Sequence, residues 1–229
     1  MKIAICYYGL VGGSKFKYGK GEPLNPKIAY DYHKDNLFDK DHQIDIFIHS
    51  QSFDQKDNLI NLYNPKCFKI EKQKNFFLKA LFHKKIILNI LSLPIFVFKG
   101  KKFSEVYESL KKNFLRCKNC WSRWYSTEQV VTLKKNYEKQ KNFRYDLVML
   151  TRLDVGFFSK FEFNNINKNK LTVSFHNDVP APRNNYSQKI VKNNRTIERG
   201  ILDFWFISSS DNIDKFSNLY NCFNNYNIS

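Results

Sequence analysis

At 229 residues the chain is long enough to bury a sizeable core, and its 42% hydrophobic and 17% aromatic content exclude global disorder. A formal charge of +17 would ordinarily indicate nucleic acid or an anionic membrane surface as partner. The excess is mostly Lys, scattered along the chain beside abundant Asn, Ile, Phe and Tyr, all residues of AT-rich codons. No nucleic-acid motif accompanies it. Nucleic-acid binding is therefore set aside, while attraction to phosphorylated ligands and anionic lipid is kept.

The first apolar run, residues 2–7, reads as a core strand followed by a glycine turn at Gly9, Gly12 and Gly13. Glycines there permit positive φ and close backbone approach to a ligand, although G-x-x-G-G is not the dinucleotide fingerprint. The same run is short for a signal peptide, contains two Tyr residues and leads to no A-x-A site. Residues 24–38 predict a helix starting near Pro26, with Ile28, Ala29, Tyr32 and Leu37 at helical intervals. A second strand is predicted at 44–49 and a third at Cys67–Ile70, after the Asn64-Pro65 turn.

Residues 76–100, FFLKALFHKKIILNILSLPIFVFKG, are very apolar, carry Lys79, Lys84, Lys85 and Lys99, and are interrupted by Pro94. They read either as helix and turn within the fold or as an interfacial element with basic groups facing lipid phosphate. No stretch of the chain reaches the ~18 consecutive apolar residues of a membrane span. Helices follow at 104–115 and 126–141, the second with a capping signature at Ser126 or Thr127. Cys117 and Cys120 form a C-x-x-C without the second pair that a zinc site needs. The odd total of five cysteines fits a reducing compartment.

The most telling stretch is 145–158, YDLVMLTRLDVGFF. Its continuous apolar run fits a strand buried on both faces, and it delivers Arg152 and Asp154 at its far end. Charge is costly inside such a strand, so the two groups are expected to project into the crevice where open α/β sheets bind ligands. The alternative is an Arg–Asp pair that closes the strand end. Beyond it, 164–170 reads as a hairpin tip, 171–175 as a strand, 177–199 as a loop over the site, 201–207 as a last strand, and 210–220 as a helix capped by Ser or Asp. Alternating strands and helices predict an α/β fold with a mainly parallel sheet flanked by helices.

Together KIAICYYGLVGG, IDIFIHSQS, the segment WYSTEQVVTLKKNYEKQKNFRYDLVMLTRLDVGFF and ILDFWFISSSDNIDKFSNLY resemble a family of bacterial surface-polysaccharide glycosyltransferases. The resemblance spans residues 2 to about 220 and is most specific at D-I-F-I-H and at Y-D-x-V-x-x-x-R-x-D. It implies one GT-A-like, Rossmann-type domain over residues 1–229, with 76–102 as an insertion or membrane-facing element. Arg152 and Asp154 then stand where the family carries a D-x-D element, with Arg in place of the first acid. The family commonly has a Trp shortly after the His, where this sequence has Gln51 or Phe53, and often continues into a His-Pro-Glu-like segment, where this sequence ends at Ser229.

The resemblance implies transfer of a sugar from a nucleotide-sugar donor to a glycan or lipid-linked glycan, in capsule or lipooligosaccharide synthesis. Its setting would be the cytoplasm, with the inner face of the cytoplasmic membrane as a peripheral contact. Asp154 would hold one Mg²⁺ or Mn²⁺, or else Arg152 would neutralise the departing diphosphate without metal. Asp203 would be the acceptor-side base. His49 would contact nucleobase or ribose, and Gly9, Gly12 and Gly13 would line the donor. Trp121, Trp124 and Tyr125 are candidates for stacking, and His176 and Asp178 flank the loop over the site. The competing function is a non-catalytic basic accessory protein that docks on the membrane or on polysaccharide-assembly machinery.

Overall fold

The computed structural model describes residues 1–11, 25–98, 100, 102–174 and 202–225, with backbone alone at 96, 97, 202 and 203. Six strands form one sheet: β1 (Lys2–Gly9), β2 (Gln43–Ser50), β3 (Cys67–Ile70), β4 (Leu147–Arg152), β5 (Thr172–Ser174) and β6 (Leu202–Ser208). Their order is β3-β2-β1-β4-β6-β5. The pairs β1–β2, β1–β4 and β2–β3 are parallel, while β6 runs antiparallel to both β4 and β5. The fold is thus α/β with a mixed, mostly parallel sheet flanked by helices, as the alternation of elements predicts.

Pleat alternation sorts the apolar strand residues into two layers. Ile3, Ile5 and Tyr7 of β1 pack with Leu37, Leu59 and Tyr63, beside α1 (Pro26–Asn36) and α2 (Lys56–Tyr63). Ala4, Cys6 and Tyr8 face the other way, toward Val130 and Val131 of α6 (Phe103–Lys141) and Ile213 of α7 (Ser210–Ser217). Burial on both faces is why these strands read as unbroken apolar runs. α1 opens as expected, with Pro26 in its first turn and the Asn25 side chain accepting from the Lys27 N–H. α2 ends at Asn64, which takes a left-handed φ of 41° and releases the chain into β3.

Three expectations are corrected. The helices predicted at 104–115 and 126–141 are one 39-residue helix, α6. No Gly or Pro interrupts residues 103–141, and Cys117, Trp121 and Tyr125 form a buried stripe at four-residue spacing through the intervening segment. Ser126 is accordingly mid-helix and caps nothing. Residues 164–170 are not a hairpin tip, because β5 pairs with β6 rather than with the preceding segment. The helix α2 was not predicted, since its sequence KDNLINLY shows only Leu59 and Tyr63 as buried anchors. Cys117 is buried, and burial pushes its thiol up to about 12, which makes it a poor nucleophile. The 177–199 loop lies outside the described residues.

Residues 76–98 become three short helices, α3 (Phe77–Leu81), α4 (Lys84–Leu91) and α5 (Leu93–Phe98), stacked against the first half of α6. Phe76, Ala80 and Ile86 point inward to Cys117, Trp121, Tyr125 and Phe223, next to α8 (Leu219–Cys222). Among the described residues no helix is long and apolar enough to cross a membrane.

The second half of α6 is tied to α7 by a buried ion cluster. Lys134 Nζ donates to Glu138 Oε2 at 2.9 Å, Asp214 Oδ1 at 2.7 Å and Ser210 Oγ at 2.5 Å. Arg144 adds bonds to Glu138, Asp214 and Asp211, and Glu138 Oε1 also accepts the Tyr145 N–H that starts the approach to β4. With its side chain fully buried, Lys134 cannot be removed without leaving two carboxylates short of a partner. Lys134→Met is expected to lower unfolding stability in urea by about 3 kcal/mol, Arg144 compensating only in part. A loss below about 0.5 kcal/mol, the level of an ordinary surface change, would contradict this role.

Candidate functional site

Parallel β1 is flanked by β2 on one side and β4 on the other, so the crossovers leaving its neighbourhood run in opposite directions. That is a topological switch point, and the crevice belongs at the carboxyl ends of β1 and β4. The register places Tyr8 of β1 opposite His49 of β2 and also opposite Arg152 of β4. These three residues form a row across the carboxyl edge, on the α6 side of the sheet by the strands' alternation. His49 and Arg152 are two strands apart, roughly 10 Å. Gly9 ends β1 with φ 100°, a conformation that favours glycine, and among the described residues nothing lies within 4 Å of where a Cβ would sit.

Arg152 and Asp154 are bonded to each other. Arg152 Nε donates to Asp154 Oδ1 at 2.7 Å and its terminal nitrogen to Oδ2 at 2.5 Å, a two-pronged pair. About a fifth of each side chain is exposed, 23% for Arg152 and 20% for Asp154. The turn that carries them is clamped by α1. His33 Nε2 lies 2.5 Å from the Val155 carbonyl and so carries the proton, leaving Nδ1 to accept from the Tyr63 hydroxyl at 2.8 Å. Asn36 Nδ2 donates to the Phe157 carbonyl at 2.6 Å, and Gly156 sits against the Tyr32 ring, where a Cβ would come within 3.3 Å.

A second network fixes the Gly9 turn. The Gly9 N–H donates to Ser126 Oγ at 3.0 Å, and Ser126 Oγ lies 2.6 Å from His49 Nδ1. His49 Nε2 faces Glu71 Oε1 at 3.3 Å. The consistent assignment has Nε2–H donating to the carboxylate and Ser126 O–H donating to Nδ1. Ser50 Oγ donates to the Gly9 carbonyl at 2.9 Å, and Ser52 Oγ accepts the Val11 N–H at 3.0 Å. Glu71 also accepts from the Tyr125 hydroxyl at 2.6 Å and has Lys69 and Lys74 nearby. Burial raises the Glu71 carboxyl, but hydrogen bonds from Tyr125 and His49 and the two lysines outweigh it and hold it below the usual range.

His49 is fully buried with both ring nitrogens engaged, which makes it a positioning group for the Gly9 turn. Asp203 lies in β6 two residues before Trp205, which pairs with Thr151, so its backbone is at the same edge as Arg152; its side chain is outside the described residues. Gly12, Gly13, His176 and Asp178 also lie outside them. Trp121 packs edge-on against Phe223 and Tyr220, and Trp124 against Phe216, as core aromatics do. A concavity of about 500 Å³ opens near Lys74, Phe77, Lys79, Tyr125 and Tyr220, and neither Arg152 nor Asp154 lines it.

For a divalent metal, the fit is poor. Both Asp154 oxygens are taken by Arg152, and among the described residues no group of three His, Cys, Asp or Glu could share an ion. The arrangement as described offers positive charge from Arg152, and a metal at Asp154 would have to displace the guanidinium. Sequence reasoning missed Ser126, Glu71, His33 and Asn36. Their partners lie far along the chain, and only the mid-helix position of Ser126, once α6 is continuous, hints at a role. No protein-family model matches the chain, and no curated protein matches it in sequence.

Burial holds His33 and His49 down to about 4, opposed at His33 by the Val155 carbonyl and at His49 by Glu71. Both rings are therefore neutral in the folded protein at neutral pH. The unfolded chain binds protons on them below its ordinary value of about 6.5, which the folded protein refuses until about 4. Stability should fall as pH drops through that window, seen as a declining urea midpoint, with a shallower decline in His33→Gln. A midpoint constant from pH 7 to about 4.5 would contradict the assignment.

Proposed function

We propose that this protein is a nucleotide-sugar-dependent glycosyltransferase with a GT-A-like, Rossmann-type sheet. It transfers a sugar to a cell-surface glycan or its lipid-linked precursor. The observation that carries this reading is the edge of the sheet at the β1–β4 switch point. There Gly9 has positive φ, Arg152 pairs in register with the preceding residue, Tyr8, and the β4 turn is braced by His33 and Asn36.

In this reading the donor diphosphate lies across the Gly9 turn and against Arg152, whose planar fork matches two phosphate oxygens. About a fifth of each side chain is open to solvent, and a diphosphate, which carries more negative charge than the carboxylate, can compete for the guanidinium. As the acceptor hydroxyl attacks the anomeric carbon, the bond to the nucleoside diphosphate breaks and negative charge grows on the leaving oxygen. Arg152 stabilises that charge. Asp203 takes the acceptor proton, from a strand that begins at the edge where Arg152 lies. The second reading, a non-catalytic accessory protein, draws on the Arg152–Asp154 bond as a strand-closing ion pair.

A thermal-shift screen of UDP-, GDP-, CDP- and dTDP-sugars, with divalent metal and with chelator, separates the two. A ligand at a hundredfold excess over its Kd should stabilise by about 2.7 kcal/mol, a Tm rise of about 5–10 °C. Arg152→Ala should remove most of that rise while the unliganded Tm stays within a few degrees. If none of the donors moves the melting curve under either condition, the transferase reading fails.

A further inference from the structure

The three helices α3–α5 turn one side toward α6, and among the described residues the other side is left exposed. In α4, Ile86 faces inward while Lys84, Leu88 and Leu91, spaced four and three residues apart, form an outward stripe. Phe82 is 66% exposed, Leu91 68% and Phe98 90%, and Leu78, Leu88 and Ile95 are likewise exposed. An apolar face of this extent on one side of a folded protein marks an interaction surface. The charge pattern says what kind. Residues 72–104 contain eight lysines and no Asp or Glu. Lys79 lies over the rings of Trp121 and Tyr220 and donates to the Tyr220 hydroxyl, partners that leave its charge unneutralised.

We propose that this face is a docking surface for an anionic lipid bilayer. Phe82, Leu88, Leu91 and Phe98 enter the headgroup–acyl boundary, and the lysines reach the lipid phosphates along their own apolar stems. A second copy of the chain would bring the lysines of this face, Lys84 and Lys85 among them, against their own copies, so the charge pattern opposes self-association and favours a negatively charged partner. The inference stands on residues apart from the Gly9–Arg152 edge and holds whether or not the protein is a transferase. Both sequence readings of residues 76–100 would then hold, with Phe76, Ala80 and Ile86 serving the core and the exposed Phe82, Leu88 and Leu91 meeting lipid.

Co-sedimentation of the full chain with vesicles of phosphatidylcholine alone, and with vesicles containing phosphatidylglycerol, tests it. Binding to the anionic vesicles is expected to exceed binding to the neutral ones by at least about tenfold and to fall with added salt. The double variants Leu88→Ser/Leu91→Ser and Lys84→Gln/Lys85→Gln should each weaken it by about tenfold, with circular dichroism and Tm unchanged because the altered apolar side chains are exposed. The proposal is overturned if anionic vesicles do not bind the protein, or if the Leu88/Leu91 variant binds them as well as the native chain. It is equally overturned if sedimentation equilibrium shows a dimer, abolished by that variant, in a protein that ignores vesicles.

Discussion

Parallel pairing of β1 on both of its edges is the constraint from which the rest of the structure follows. A strand hydrogen-bonded to parallel neighbours on either side must have both faces covered, because each neighbour is reached by a crossover that lays a helix on the sheet. Ile3 to Tyr8 are buried without exception, and the two layers of helices meet them there. The same pairing brings the carboxyl ends of β1, β2 and β4 to one edge. There the Gly9 and Val11 amides donate to side chains, those of Ser126 and Ser52. His49, Ser126, Glu71, Ser50 and Ser52 are all spent on holding the Gly9 turn in a left-handed conformation.

Two largely buried polar systems serve that edge from different distances, the second with the exposed Arg144 at its margin. The Gly9–Ser126–His49–Glu71 chain acts directly, and it uses the length of α6 to reach across the sheet. The Lys134–Glu138–Asp214–Arg144 cluster acts further off, fixing α6 against α7 and the start of β4 through the Tyr145 N–H. A buried ion cluster of this kind gives geometry more surely than it gives stability, since desolvation offsets most of its Coulomb energy. Its effect here is to set the rotation of α6, and with it where Ser126 meets Gly9.

The strands were legible because burial on two faces writes itself as an apolar run, as in KIAICYYG and LVMLT. The carboxyl-edge location of Arg152 was legible for the same reason, since charge terminates such runs. Strand direction was not: ILDFWFI has the composition of a buried strand, and nothing in it states that it runs antiparallel to its neighbour. Ser126 was misread because a Ser two residues ahead of Glu128 carries the chemistry of a cap, and its actual partners lie 117 and 77 residues away. The Arg152–Asp154 bond was one of two open readings, and only the side-chain geometry shows that the two groups meet. His33 and Asn36 left no trace, because their roles depend on carbonyls more than a hundred residues distant.

The central claim is that the carboxyl edge at β1 and β4 receives a diphosphate. Hydrogen–deuterium exchange on the full chain, with and without the nucleoside diphosphate of the stabilising donor, tests it most directly. The account predicts slowed exchange confined to the amides of residues 8–11 and 151–156, with α4 and the Lys134 cluster unchanged. Protection centred on the concavity by Lys74 and Lys79, with none at the Gly9 turn or around Arg152, would contradict it.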